Sequence, residues 1–263
     1  MDLGLTGRAA IVLASSQGLG KASAMALARE GANVVICARR KGPLLAAQAE
    51  IKSVSQGEVL AVQLDLTLAD DLKRLVGTTI DTFGRIDVLV TNSGPPPSGK
   101  FFDLGIEQWN VAVESLLLSV VRICYRVIPI MRKQRWGRII HISSTSVKQP
   151  LGHLMLSSAA RMGIVGLSKI TSNEFAADNV LVHTVCPGPF LTEAEVDFFD
   201  RMAKEKGVTA EEAQRQWLSD IPMRRIGRPE EFGDVVAFLA SERASFMTGT
   251  VVQVDGGRIQ SML

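Results

Sequence analysis

Two short stretches of this sequence carry residues suited to holding an anion. Ser15-Ser16-Gln17-Gly18-Leu19-Gly20 follows the apolar run of residues 9–14 and opens directly into KASAMALARE. Glycines let the backbone turn tightly and approach a pyrophosphate, whose charge is stabilised by the amides at a helix N-terminus. A strand before the loop, a helix behind it and a second apolar run ending at residue 38 supply the context such a loop needs. At the end of that second run stands Ala38-Arg39-Arg40. Dinucleotide sites that take NAD place a carboxylate there for the ribose 2′-hydroxyl, whereas an arginine accommodates the 2′-phosphate of NADP. This position has no acid, and a guanidinium fork presents parallel donors to a phosphate. NADP(H) is therefore the expected cofactor, with Arg39 as the ligand ahead of Arg40. The competing reading is NAD(H), with both arginines solvated at the start of the next helix.

Two alternating periodicities position these stretches. AAIVLA (9–14), NVVICA (33–38), VLAVQL (59–64), IDVLVT (86–91), RIIHIS (138–143), VLVHTV (180–185) and TVVQV (250–254) are short, near-continuous apolar runs rich in Val and Ile. That is the pattern of strands buried on both faces of a parallel sheet. Helical patterns separate them: Gly18–Glu30, Pro43–Ser55, Ala69–Phe83, Ile106–Gln134, His153–Ala177 and Glu230–Ser241. The fold class is α/β, a Rossmann-type doubly wound parallel sheet of about seven strands with right-handed crossovers. Residues 1–263 read as a single domain without linker or repeat. One segment breaks the alternation: Thr192–Arg225 carries two amphipathic helical patterns where a direct crossover would suffice. Insertions after the carboxyl end of a strand sit over the ligand crevice, so 192–225 reads as a lid; a structural insert or a subunit contact is the alternative.

With 46% hydrophobic and 21% charged residues the chain has ample material for a core. Basic and acidic residues nearly balance, at a net charge of +2, and no run of like charges marks a nucleic-acid partner. Cys37, Cys124 and Cys186 lie apart within apolar stretches and read as buried thiols rather than a disulfide or metal site. The first apolar run leads straight into the glycine loop, unlike a secretory leader, and no stretch has the eighteen or so apolar residues of a membrane helix. A cytoplasmic protein without membrane, metal or nucleic-acid partner is expected.

The glycine loop, together with further motifs in order, makes the chain resemble the short-chain dehydrogenase/reductase family over essentially its whole length, in particular its 3-oxoacyl-carrier-protein reductase-like members. Gly18 and Gly20 match the family loop, while Leu13-Ala14 replaces its Thr-Gly pair. Alanine at 14 is expected to be tolerated with φ kept negative. Asp65-Leu66 in QLDLT matches the acid that contacts adenine. Thr91-Asn92-Ser93-Gly94 is similar to the family's Asn-Asn-Ala-Gly turn, so Asn92 and Gly94 are cofactor candidates. Pro187-Gly188, with Thr192 four residues on, matches the loop that holds the nicotinamide amide, and Val254–Gly257 matches the C-terminal strand end.

The resemblance also implies a catalytic set: a Tyr as acid, a Lys that lowers its pKa and grips the ribose, a Ser that orients the carbonyl and an Asn that supports a proton relay. Ser144 aligns with the serine. Thirteen residues on, where the Tyr belongs, stands Ser157; four further, in place of the Lys, stands Arg161. ARMGIVGLSK fixes the register independently, and WNVAVESLLLSVVR puts Leu116 where the Asn falls. The only tyrosine is Tyr125. Arg161 can still bond the ribose and stabilise an oxyanion, but it does not exchange protons, and a serine hydroxyl is a poor acid. Losing a positioned acid costs about 10²–10⁴ in rate. His153 is the candidate replacement donor, against a loop histidine beside Pro150; His141 reads as structural and Lys148 as solvated.

Two functions are compatible with this set. One is an NADP(H)-dependent oxidoreductase acting on a carbonyl or alcohol with a rebuilt site, carried by Ser144, Ser157, Arg161 and His153. The other is a non-catalytic NADP(H)-binding sensor or partner subunit. The substrate is expected to be a small, apolar molecule, from Phe190, Leu191, Phe198, Phe199, Met202 and Trp217 in the lid. The wide apolar faces of the helices at 106–134 and 153–177 point to a homo-oligomer, a tetramer or dimer.

Overall fold

The computed structural model describes residues 2–193, 199, 202–204 and 206–261, without the side chains of 216 and 217. Strands β1 (Ala9–Val12), β2 (Asn33–Ala38), β3 (Val59–Gln63), β4 (Val88–Thr91), β5 (Gly137–Ile142), β6 (Val180–Pro187) and β7 (Val251–Val254) form one sheet of order β3-β2-β1-β4-β5-β6-β7. Every pairing is parallel. The winding direction reverses between β1 and β4. That switch point opens a crevice beyond the carboxyl ends of the strands, where ligands bind in such sheets.

The alternation along each strand divides the core into two layers. In β1, Val12 packs with Val34, Val90, Ile140, Phe232 and Val236 on one face of the sheet. Its neighbour Ile11 packs with Val35, Leu89, Ile123, Ile139 and Ile164 on the other. Helices α1 (Gly18–Arg29), α2 (Lys41–Val54), α3 (Ala69–Phe83), α6 (Met155–Phe175) and α8 (Pro229–Ala240) follow the sequence pattern within a few residues. Gly84 ends α3 in the left-handed region at φ 70°, its N–H donating to Ile80 O, which is why that boundary is sharp.

The segment expected as one helix from 106 to 134 is divided. It runs as α4 (Ile106–Val113), a π turn over Glu114–Leu118 and α5 (Ser119–Gln134). A π turn inserts one residue and rotates the helix beyond it, and such turns cluster at functional sites. Within 192–225, α7 (Ala210–Leu218) is the second of the two helical patterns. Much of the first, including Phe198, lies outside the described residues, as does the Trp217 side chain.

Candidate functional site

The phosphate loop is shaped by a change of hydrogen-bonding partner. Leu13 N–H donates to Val90 O in β4, and Ser15 N–H donates to Cys37 O in β2. Amides two residues apart on a regular strand face the same neighbour, so the backbone must flip between them. Ala14 makes that flip at φ 47°, which corrects the expectation of a negative φ there. The left-handed conformation costs a non-glycine residue about 1–2 kcal/mol. Asn92 Nδ2 donates to Ala14 O at 3.2 Å and braces the turn. Gly20 comes so near that a Cβ would lie 2.5 Å from Ala14 O, so only glycine fits.

A cavity of about 950 Å³ runs along this edge of the sheet. Ser16, Gln17, Gly18 and Leu19 form its floor, with Asn92 and Gly94 behind them. Ser15 and Gly20 lie beneath the wall: the Ser15 hydroxyl donates to Val12 O and accepts from Cys37 N–H, joining β1 to β2. At one end stand Arg39, Arg40, Asp65, Leu66 and Thr67. Both arginines are exposed, and Arg40 Nη2 donates to Gln17 Oε1 at 2.8 Å, reaching across the loop. The Asp65 carboxylate accepts from the Thr67 amide and hydroxyl. At the other end are Pro187, Gly188 and Thr192. A Cβ on Gly188 would lie 2.5 Å from Asp255 Cβ, and the Thr192 methyl stands over Gly18.

Ser144, Ser157 and Arg161 meet on the wall between. Ser144 follows β5, and its Oγ accepts from Ser146 N–H, capping a short 3-10 turn. Ser157 and Arg161 lie one turn apart on α6 and are both buried. Arg161 Nε donates to Ser157 Oγ at 3.2 Å, and Nη1 donates to Ile142 O at 2.8 Å. Burial lowers the guanidinium to about 10, which leaves it charged at neutral pH.

The other candidates lie elsewhere. His153 is exposed and off the cavity wall; its carbonyl accepts from Gly99 N–H. His141 Nδ1 hydrogen-bonds the Thr91 hydroxyl at 2.8 Å, and burial drives its pKa down to about 4, so it is a neutral core histidine. Lys148 is half-buried and not on the wall. Tyr125 is 79% exposed on the outer face of α5, away from the cavity. Leu116, within the π turn, is buried with Leu104, Ala112, Leu156 and Ala160. The residue before it, Ser115, lines the cavity instead. Ser115, Glu193 and the Pro95-Pro96-Pro97-Ser98 rim, which no motif above includes, are also on the wall. The proline run was visible as a stiff loop, whereas Ser115 reaches the wall from a π turn that no pattern announces.

The switch-point crevice, glycine loop and paired arginines define a dinucleotide-binding protein of Rossmann type. The family model described as enoyl-(acyl carrier protein) reductase matches residues 13–258. A 3-oxoacyl-[acyl-carrier-protein] reductase of Synechocystis sp. is 35% identical, with 97% of this chain and 98% of that protein aligned. A D-beta-hydroxybutyrate dehydrogenase of Cupriavidus necator is 31% identical over 96% and 98% of the two chains. Among solved structures, L-sorbose reductase from Gluconobacter frateurii, complexed with NADPH and L-sorbose, superposes with a TM-score of 0.95 at 30% identity, over 100% of both chains. The chain belongs to the short-chain dehydrogenase/reductase family, whose members are NAD(P)-dependent oxidoreductases.

Proposed function

We propose that this protein is an NADP(H)-dependent oxidoreductase acting on a carbonyl or alcohol through a rebuilt site. The observation that carries the reading is continuity: the phosphate loop, Arg39 and Arg40, and the Ser144–Ser157–Arg161 cluster line one cavity. The cradle fits the cofactor, because the loop is close-packed at Gly20 and two exposed guanidinium groups border its far end. NADPH supplies a hydride when bound. The Ser144 hydroxyl is placed to donate to the reacting oxygen, and Arg161 supplies a fixed positive charge. Arg161 does not move a proton, so the proton comes from water in the cavity. The named substrates of the relatives include a ketose and a hydroxy acid, both small and polar at the reacting end.

Residues 1–263 act as one domain in this reading, with 192–225 as the lid over the substrate end. The three cysteines are buried and free, which fits a reducing cytoplasm. A non-catalytic NADP(H) sensor is the second reading, favoured by one observation: no tyrosine reaches the cavity. Titration with NADPH and NADH, beside turnover on a panel of carbonyl compounds, separates the two. NADPH is expected to bind more tightly, with the difference collapsing in Arg39→Ala and shrinking in Arg40→Ala. Equal affinity for both cofactors in the unaltered protein would refute the NADP assignment. Binding with no turnover across the panel selects the sensor.

A further inference from the structure

Among the described residues, Arg161 is a buried cation without a counterion. It is 8% exposed, and its two hydrogen-bond partners, Ser157 Oγ and Ile142 O, are neutral. None of the ion pairs among the described residues includes it. The nearby titratable group is the Cys186 thiol, which burial keeps neutral. Lys148 adds a second positive charge acting on the same thiol. A buried charge is costly unless something of opposite sign meets it. Nη2 has no hydrogen-bond partner among the described residues, and Arg161 stands on the cavity wall. The ribose that the cofactor would bring to this part of the cavity is neutral, and a substrate anion would supply the missing charge.

We propose that the substrate is a small oxo or hydroxy acid whose carboxylate pairs with Arg161, the Ser157 hydroxyl completing its hydrogen bonds. A guanidinium binds a carboxylate through parallel N–H donors, and a lysine at this position would offer only a point charge. Pro97, Val111, Leu154 and Phe190 line the same cavity and would cover the apolar remainder of the acid. This assignment rests on the oxidoreductase reading for its reaction, but not for its binding.

The test is calorimetric titration of the NADP-loaded protein with 4-methylpentanoate and with the isosteric neutral 4-methylpentanamide. The acid is expected to bind at least about tenfold more tightly, the worth of a charge-assisted hydrogen bond. Measured at saturating NADP, Arg161→Gln should abolish that preference, and Arg161→Lys should retain part of it. Equal binding of acid and amide to the unaltered protein, binding of neither, or a preference that survives Arg161→Gln would overturn the proposal. The first comparison needs no variant, so misfolding of Arg161→Gln cannot mask the result. Turnover separates this idea from the one beneath it. If acids bind selectively but no oxo acid is reduced, the carboxylate site stands and the oxidoreductase falls. If neutral ketones are reduced while acids are ignored, the reverse holds.

Discussion

Position 157 decides what position 161 can do. The serine is small enough for the Arg161 guanidinium to fold back onto its Oγ and onto Ile142 O. A phenol ring at 157 needs that space, and a lysine at 161 would leave it empty. The two residues therefore form one adapted pair, and changing either alone leaves an ill-fitting neighbour. Ser157→Tyr alone adds an acid with no ammonium to lower its pKa, and Arg161→Lys alone has no phenol to tune. Together they should raise NADPH-dependent reduction of simple ketones at least about tenfold above either single change, since a positioned acid is worth about 10²–10⁴. Such coupling is strongly non-additive for side chains in contact. Steady-state rates of the four proteins decide it, and additive or absent gains would show that positions 157 and 161 are not where an acid can act. Leu116 stays buried in its apolar cluster, so the gain should stop short of a full relay.

The elements were legible wherever a local signal marks the boundary, and illegible where a boundary depends on partners distant in sequence. Gly84 announces the end of α3, and the small-residue run ARMGIVGLSK fixes which turn of α6 carries Ser157 and Arg161. By contrast the flip at Ala14 is imposed by β4 on one side and β2 on the other. The π turn that buries Leu116 and turns Ser115 to the cavity follows from packing against α6, where Leu117 meets Gly163. The carboxyl ends of β4 and β5 carry a consequence for stability. Thr91 and His141 are paired residues on these strands, joined by their side-chain hydrogen bond. Burial holds His141 at about 4, against 6.5 for a free imidazole. The unfolded chain takes up a proton as pH falls through 6.5, while the fold refuses it until about 4, so stability is lost across that window. Between pH 7 and pH 5 this histidine alone should cost about 2 kcal/mol of unfolding free energy. His183, lowered to about 4 by burial, adds a loss of the same sign. Urea denaturation at the two pH values measures the loss. His141→Asn, which can still accept from Thr91, should reduce the acid-induced drop by that amount; an unchanged drop would mean the histidine is not protonated on unfolding in this range.

At the scale of the whole molecule, the outer face of the helices beside the site is more apolar than a solvated surface requires. Leu118 and Tyr125 lie seven residues apart on the π turn and α5, at 39% and 79% exposure. Met162 and Ile170, at 51% and 67%, form a second row on α6. These rows belong to neighbouring helices, because Gly163 admits Leu117 so closely that a Cβ there would lie 3.0 Å from its side chain. A self-complementary patch of this kind is what a two-fold axis between identical subunits uses. It would also stiffen α6, and through it the turn that holds Ser157 and Arg161. The expected state is a dimer or tetramer at micromolar concentration, read by multi-angle light scattering. Tyr125→Glu combined with Met162→Glu should shift it to smaller species, since two carboxylates cannot be buried there unpaired. Both side chains point away from the cavity wall, so NADPH binding by the dissociated form should persist, weakened by no more than about tenfold. A monomer in the unaltered protein would remove the interface, and an oligomer untouched by both glutamates would place it elsewhere on the surface.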